Sequence, residues 1–583
     1  MVLNPAHPHQ ESSGDETCPM NAIRRAGVTL ISRWKKADSD FFFSVPGLYR
    51  PVFFCLILAL AFGLRMRFAD IAYPAQLDTP HMIHQGIFWA QGEPGALATI
   101  WQEAPCLTAG IAYRLGFDPA EALQWSTVIY GTILVGMTML LTHRMFKSDA
   151  ATWLAGGWAA TNQGLVEYSI NSMPEIGFAA CLLGAYAILA NVLCGRGLQS
   201  GLTLLAGYGL LGLGMYFKPL DSLTALALTT GWLALLYGKQ GRHVWLRFLA
   251  GPLIFVAVAI PHYLLQSDAP GANGVNLVNR SFGLVAGEIP MNSQFLYNVN
   301  DPYGQAIKEY EETGALKWLW EHRTRIVRRY FSNVVNALRI YGNYLFPNAF
   351  RIGNAWFVAM LSVIAVSRLF GPLKKPYVFL FLSAMAIPLG VSLSYVADRW
   401  LVIYVPILIA LVSAHLVLSP TLWDATWKKA AWICLWLAMV GNSVAMERNR
   451  LEDKAWHWAN QRAVSAWLRQ ATRPDERIMS LSPSMSLEID LARPRRWVQL
   501  KAGTPEQIEQ YAQEQNASYI VLTDRLYPHW PINQLVRGET PPANWVLAKE
   551  EAFVREHPVW GTQTESYRIF KRTPPPFKEQ AEP

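Results

Sequence analysis

Apolar residues gather in long runs separated by short polar stretches. Runs near 52–64, 122–142, 149–166, 172–194, 200–216, 220–237, 244–265, 353–367, 377–395, 400–418 and 430–446 approach the length that crosses a bilayer, about 20 residues in a helix. The pattern predicts a mainly α, polytopic membrane protein of about eleven spans on that length criterion. Before the first run, residues 1–45 are polar and then basic, and read as a disordered cytoplasmic arm. That polar stretch is too long for a cleaved signal peptide, and no small-residue cleavage site follows the run. The transmembrane region occupies 46–446. Beyond Met446 the chain turns charged, with short segments bounded by Pro. An amphipathic helix is expected at 451–470, a polar helix at 504–515 and a buried strand at Tyr519–Leu522. Residues 447–572 therefore read as a small α/β domain outside the membrane, followed by a disordered tail, 573–583.

Composition fits that picture. Of 583 residues, 52% are hydrophobic and 16% charged, whereas an ordinary soluble chain carries roughly a quarter charged residues. The six cysteines show neither metal spacing nor a disulfide framework. The net charge of +8 does not imply nucleic acid, because Lys and Arg cluster between apolar runs. Basic residues concentrate on the cytoplasmic side of membrane proteins. Alternating the spans from a cytoplasmic N-terminus puts five clusters on that side: His143/Arg144/Lys147, Arg196, Lys239/Arg242/Arg247, Arg368/Lys374/Lys375 and Lys428/Lys429. The same register puts a first loop (65–121), a long loop (266–350) and the C-terminal domain outside.

Candidate chemistry lies on that outer side. Asp70 and Asp78 are in the first loop, and Asp78 precedes a helix expected from His81 to Gln91. Asp78 is placed to serve as a general base. It is equally placed to cap the helix that opens near Pro80. His81 and His84 share a helix face near Asp78, which leaves a divalent metal conceivable, but there is no fourth ligand. Arg65, Arg67, Lys218 and Arg399 break the positive-inside pattern. Cations held at the outer surface suit a phosphate; snorkelling, or pairing with Asp221 or Asp398, is the plainer account. Glu175 and Glu167 flank a short outer turn, and either is a candidate second acid or a helix-terminal charge. Residues 315–341, with Arg325, Arg328 and Arg329, read as an amphipathic helix in the membrane interface.

Four segments in order resemble the GT-C superfamily of membrane glycosyltransferases, nearest the protein O-mannosyltransferase and bacterial aminoarabinose transferase group. They are Leu77-Asp78…Gly86…Trp89-Ala90…Gly92, Trp101-Gln-Glu-Ala-Pro105…Tyr113-Arg-Leu-Gly116, Gly212-Leu-Gly-Met-Tyr-Phe-Lys218-Pro219 and Asp398-Arg399-Trp400…Pro406. The resemblance covers roughly 50–450 and implies inverting transfer of a sugar from a polyprenyl-phosphate donor to a glycan, lipid or protein acceptor. It implies the outer face of a bacterial inner membrane as the place, Asp78 as catalytic residue, and Lys218 and Arg399 as contacts to the donor phosphate. The chain departs from the family at Thr79, where a second acid is usual, and at Gln102-Glu-Ala-Pro105; Glu103 is a candidate replacement for the missing acid. The rival readings are a lipid-glycan transporter or flippase, an inactive envelope scaffold, and a glycan polymerase or ligase. Transporters place ionisable groups near the bilayer midplane on broken helices, often within internal repeats. Here they collect at the outer face, and no repeat is visible.

Overall fold

The computed structural model describes residues 49–72, 78–97, 102–196, 201–238, 242–267, 323–345, 374–391, 398–418, 426–482, 484–500, 503–524, 544–557 and 561–573, with scattered positions at 317–321 and 532–542. The expected N-terminal arm, most of the long outer loop, the run at 353–367 and the tail beyond Thr573 lie outside the described residues.

The helices in chain order are α1 (Tyr49–Ala69), α2 (Thr79–Ala90), α3 (Glu103–Arg114), α4 (Pro119–Phe146), α5 (Asp149–Thr161), α6 (Gln163–Ile170), α7 (Pro174–Leu193), α8 (Gly201–Leu213), α9 (Pro219–Tyr237) and α10 (Arg242–Ser267). They continue with α11 (Arg323–Leu345), α12 (Lys374–Val391), α13 (Asp398–Val402), α14 (Val405–Leu418) and α15 (Thr426–Ala471). Among the described residues, α1, α4, α7 and α9 are long and apolar enough to cross a membrane, and three shorter apolar helices span Gly201–Tyr216, Leu249–Leu264 and Val405–Leu418.

Ten of the eleven expected runs fall on these helices, with three differences of detail, one being that the run expected at 400–418 is broken between Val402 and Val405. The run expected at 149–166 is broken at Asn162, where the backbone is extended (φ −65°, ψ 123°). The Asn162 side chain accepts from Leu165 N and donates to the Tyr344 carbonyl, so α6 starts afresh there. The helix expected at 451–470 does not begin separately; it is the C-terminal part of α15, which runs on unbroken from the last apolar run.

The core of the bundle is built by α4, α7, α12 and α14, whose buried residues include Leu134, Phe178, Tyr186, Phe379 and Leu408. Its two ends differ. At one end Arg50 meets Asp149 at 2.7 Å, and Arg196 donates to the carbonyls of Arg144 (2.6 Å) and Met145 (2.7 Å). Three of the basic clusters that the positive-inside pattern grouped thus meet in space, Lys375 joining them against Gly195. The unexpected cations Lys218 and Arg399 lie at the other end, with the acids.

After α15 the chain forms a five-stranded mixed sheet, ordered β2-β1-β3-β5-β4. Its strands are β1 (Arg477–Ser480), β2 (Trp497–Gln499), β3 (Ala517–Thr523), β4 (Trp545–His557) and β5 (Gly561–Arg572). β1 runs parallel to β2 and β3, and β5 antiparallel to β3 and β4. The polar helix Pro505–Glu514 opens with a reciprocal capping box between Thr504 and Gln507. Glu565 fixes the sheet to α15. Its carboxylate lies 2.8 Å from His457 Nδ1 and accepts from Asn460 Nδ2 at 2.8 Å.

Candidate active site at the end of the helix bundle

The segment after α1 folds into a pair of short helices in close contact, α2 and α3. A Cβ at Gly86 of α2 would meet the Cys106 carbonyl at 2.3 Å, and one at Gly110 of α3 would meet the Gly86 carbonyl at 2.4 Å. Only glycine permits the two backbones to approach so closely. The pair is clamped to α15 and to the segment between β1 and β2. Gln91 donates to the Ala492 carbonyl at 3.0 Å, Arg495 pairs with Glu93, and Trp458 packs in one cluster with Ile83 and Ile87.

Asp78 occupies the N-cap position of α2, yet its side chain makes no capping bond. It pairs instead with Arg399 of α13. The base and cap readings of Asp78 are thereby separated: position follows the second, the carboxylate does not. Proline in the first turn of α2 needs no N–H partner, which makes the missing cap cheaper.

Lys218 lies just before α9. Its Nζ is 2.8 Å from Glu175 Oε1 and 5.9 Å from the Trp400 ring centroid. Glu175 stands in the first turn of α7, as its position suggested, and is 1% exposed. Its charge also acts on Arg399. Asp221, three residues beyond Lys218, feels the charges of both Lys218 and Glu175 and accepts from Tyr404 at 3.0 Å. The result is a chain of alternating charge, Asp78–Arg399–Glu175–Lys218–Asp221, drawn from the ends of four helices. In this state each cation is matched by acids.

Comparison with known proteins gives this arrangement its setting. No protein-family model matches the chain, and no curated protein matches it. Among solved structures, ArnT from Cupriavidus metallidurans bound to undecaprenyl phosphate superposes with a TM-score of 0.51 at 12% identity, over 88% of this chain and 97% of that one. The fold is the GT-C fold. The oligosaccharyltransferase AglB from Archaeoglobus fulgidus, in complex with an inhibitory peptide and a dolichol-phosphate, gives 0.47 at 13% identity over 81% and 69%. The arabinofuranosyltransferase AftD from Mycobacteria gives 0.40 at 14% identity, over 91% of this chain and 40% of its own length.

Within this GT-C bundle the remaining sequence candidates scatter. Arg65 is 0% exposed. It donates through Nε to Ser169 Oγ at 3.1 Å and through Nη1 to the Ala61 and Ala160 carbonyls, so it ties α1 to α5 and α6. Arg67 and Asp70 are exposed. Glu103, at the start of α3, is buried with Oε1 2.8 Å from His262 Nδ1 of α10. Glu167 takes Arg450 (2.6 Å) and Lys454 (2.9 Å) from α15. His81 and His84 face Trp497, with ring centroids 5.7 and 6.4 Å away. Burial, joined by the His81 charge, pushes the His84 imidazole down to about 3. Among the described residues no group of three His, Cys, Asp or Glu is arranged to hold a metal ion. Of the three arginines expected on one face of the interfacial helix, Arg328 is exposed, and the side chains of Arg325 and Arg329 lie outside the described residues, as does that of Asp398.

His262, Asp221 and Tyr404 are partners that the sequence did not single out. Each sits inside or beside an apolar run, where a single polar residue offers no spacing to read. Asp221 entered the sequence reading only as a neutraliser of Lys218. The one available signal was that an ionisable residue within a span is costly and needs a partner.

Proposed function

We propose that the protein is a glycosyltransferase that moves a sugar from a polyprenyl-phosphate donor to an acceptor hydroxyl at the extracytoplasmic face of a bacterial inner membrane. The observation that carries this reading is the Asp78–Arg399 pair, in which a carboxylate and a phosphate-binding type of cation meet at one end of a GT-C bundle. The neighbouring ArnT structure holds undecaprenyl phosphate, which makes that lipid the first carrier to try.

The chemistry follows from partner exchange. The donor phosphate draws Arg399 and Lys218 toward its oxygens, and the carboxylate of Asp78 is released as Arg399 turns away. Asp78 takes the proton of the acceptor hydroxyl, whose oxygen bonds to the anomeric carbon from the face opposite the phosphate. The bond between that carbon and the phosphate oxygen breaks, and its electron pair leaves with the lipid phosphate. Lys218 and Arg399 stabilise the growing charge there. Configuration inverts. Glu175 steadies Lys218 before the donor arrives, and the sheet beyond α15 flanks the acceptor side. That these ionisable groups gather at one end of the bundle, rather than at its middle, supports an enzyme over a transporter.

The test is transfer of label from undecaprenyl-phosphate sugars to product by purified protein, comparing wild type with Asp78→Asn. General-base catalysis contributes about 10²–10⁴-fold, and a loss of that size is expected. Full activity in the variant would sink the assignment of the base.

A further inference from the structure

The turn between α6 and α7 carries polar atoms that the fold does not use. Asn171 is 0% exposed, and among the described residues neither its Oδ1 nor its Nδ2 has a hydrogen-bond partner. Ser172 Oγ is buried and unpaired in the same way, and so is Glu175 Oε2, whose other oxygen meets Lys218. Buried polar groups in native proteins are nearly always paired, and leaving one unpaired forfeits its full hydration. The backbone at Ser172 is also left-handed, with φ 58°. Serine gains nothing from that conformation, which glycine adopts freely. Strain of this kind persists where surrounding structure enforces it, and it clusters at binding sites.

The turn touches both halves of the charged chain. The Asn171 carbonyl accepts from the hydroxyl of Thr79, next to Asp78, at 3.2 Å. Its other end is Glu175, held to Lys218 at 2.8 Å. One flank therefore belongs to the base and the other to a phosphate-binding cation. In a sugar phosphate the ring lies between those two points, with the attacked carbon bearing the phosphate.

We infer that the turn Asn171–Glu175 is the subsite for the donor's glycosyl ring, with the Asn171 carboxamide and the Ser172 hydroxyl bonding its hydroxyl groups. An amide that both donates and accepts, beside a hydroxyl that does the same, matches a polyhydroxylated ligand. An anion would have no use for Asn171 Oδ1 and would be repelled by Glu175. The inference rests on the glycosyltransferase reading and adds to it the residues that recognise the sugar.

The experiment measures binding of undecaprenyl phosphate, and of undecaprenyl-phosphate pentose and hexose, to the full-length protein in nanodiscs. Wild type, Asn171→Leu and Ser172→Gly are compared, each with a thermal melt. The wild type binds a sugar-bearing lipid more tightly than the bare lipid. Both variants reduce that margin about tenfold, as loss of a hydrogen bond to a buried partner does, and bind the bare lipid as before. Their melting temperatures hold or rise, because leucine strands no amide and glycine relieves the left-handed backbone. A fall in melting temperature together with weaker binding of both kinds of lipid would make the turn a structural element and overturn the subsite. An unchanged margin would show that solvent alone satisfies these atoms, and overturns it too. A wild type that binds the bare lipid but gains nothing from any sugar overturns the subsite alone, whereas one that binds no lipid at all overturns the glycosyltransferase reading with it.

Discussion

Asp78 and Arg399, 321 residues apart in the chain, occupy each other at the end of the bundle where the ionisable residues converge. Because each is the other's partner, removing one has an effect of opposite sign from removing the other. Arg399→Gln deletes a phosphate-binding cation, and affinity for undecaprenyl phosphate falls by roughly an order of magnitude. Asp78→Asn frees Arg399 from its competitor, and the same affinity holds or improves while transfer is lost. Lipid binding to the two purified variants checks both signs at once. A loss of affinity in Asp78→Asn would contradict partner exchange.

The Lys218–Glu175 pair is more deeply enclosed, with side chains 12% and 1% exposed. Breaking such a pair from one side leaves a stranded charge and costs about 3–5 kcal/mol, whereas an apolar replacement of both partners is close to neutral. Lys218→Ala should lower the melting temperature markedly. Lys218→Met combined with Glu175→Leu should recover it without recovering transfer. Melting curves and turnover measured on the same preparations separate the two contributions.

The close approach of α2 and α3 gives a prediction with no charge in it. Gly86→Ala drives a methyl group toward the Cys106 carbonyl and the Gly110 amide. Both are backbone atoms, so no side chain can swing aside. Overpacking of this kind costs about 1–3 kcal/mol, and here it displaces the helix that begins at Asp78. Transfer activity should fall more than overall stability does. A variant with normal turnover would show that the loop position does not set the geometry of the acid.

The sheet should respond to acid through Glu565. Its burial favours the protonated form, but hydrogen bonds from His457, Asn460 and Tyr567 outweigh this and hold its pKa below the usual glutamate value. A depressed carboxyl contributes stability above its unfolded pKa and loses it as pH falls through the folded one. Melting temperature should therefore decline with acidification below about pH 4.3, the unperturbed glutamate value. Glu565→Gln should melt lower at pH 7 and show a flatter acid limb. An unchanged acid limb would exclude Glu565 as its source.

Much of this was legible because a bilayer is a demanding solvent. Apolar runs near α1, α4, α7 and α9 must be helices, and the basic clusters that meet around Arg144 and Arg196 were already grouped by their spacing between runs. Lys218 and Arg399 stood out because they depart from what topology alone requires, and Asp78 because it is an acid in the first loop just ahead of a helix. Which of them meet was not legible, since contacts between residues hundreds of positions apart leave no local pattern. Arg65 shows the limit most plainly. By position it matched Arg399, an arginine at the outer end of a span, but its guanidinium is spent on Ser169 and two backbone carbonyls inside the bundle. Asn162 was hidden within an apolar run for a different reason. One polar residue barely alters the mean hydropathy of a window, yet its side chain ends one helix and starts the next.

The unbroken helix α15 sets a length scale for the whole molecule. Its 46 residues at a rise of about 1.5 Å each make a rod of roughly 69 Å, more than twice the 30 Å of a bilayer's hydrocarbon layer. It contains no proline to hinge it. The sheet therefore rides on a stiff mast that also braces the Asp78 loop through Trp458. In the proposed transfer, the sheet then bounds the space an acceptor crosses to reach Asp78, and the stiffness of α15 fixes the size of that space.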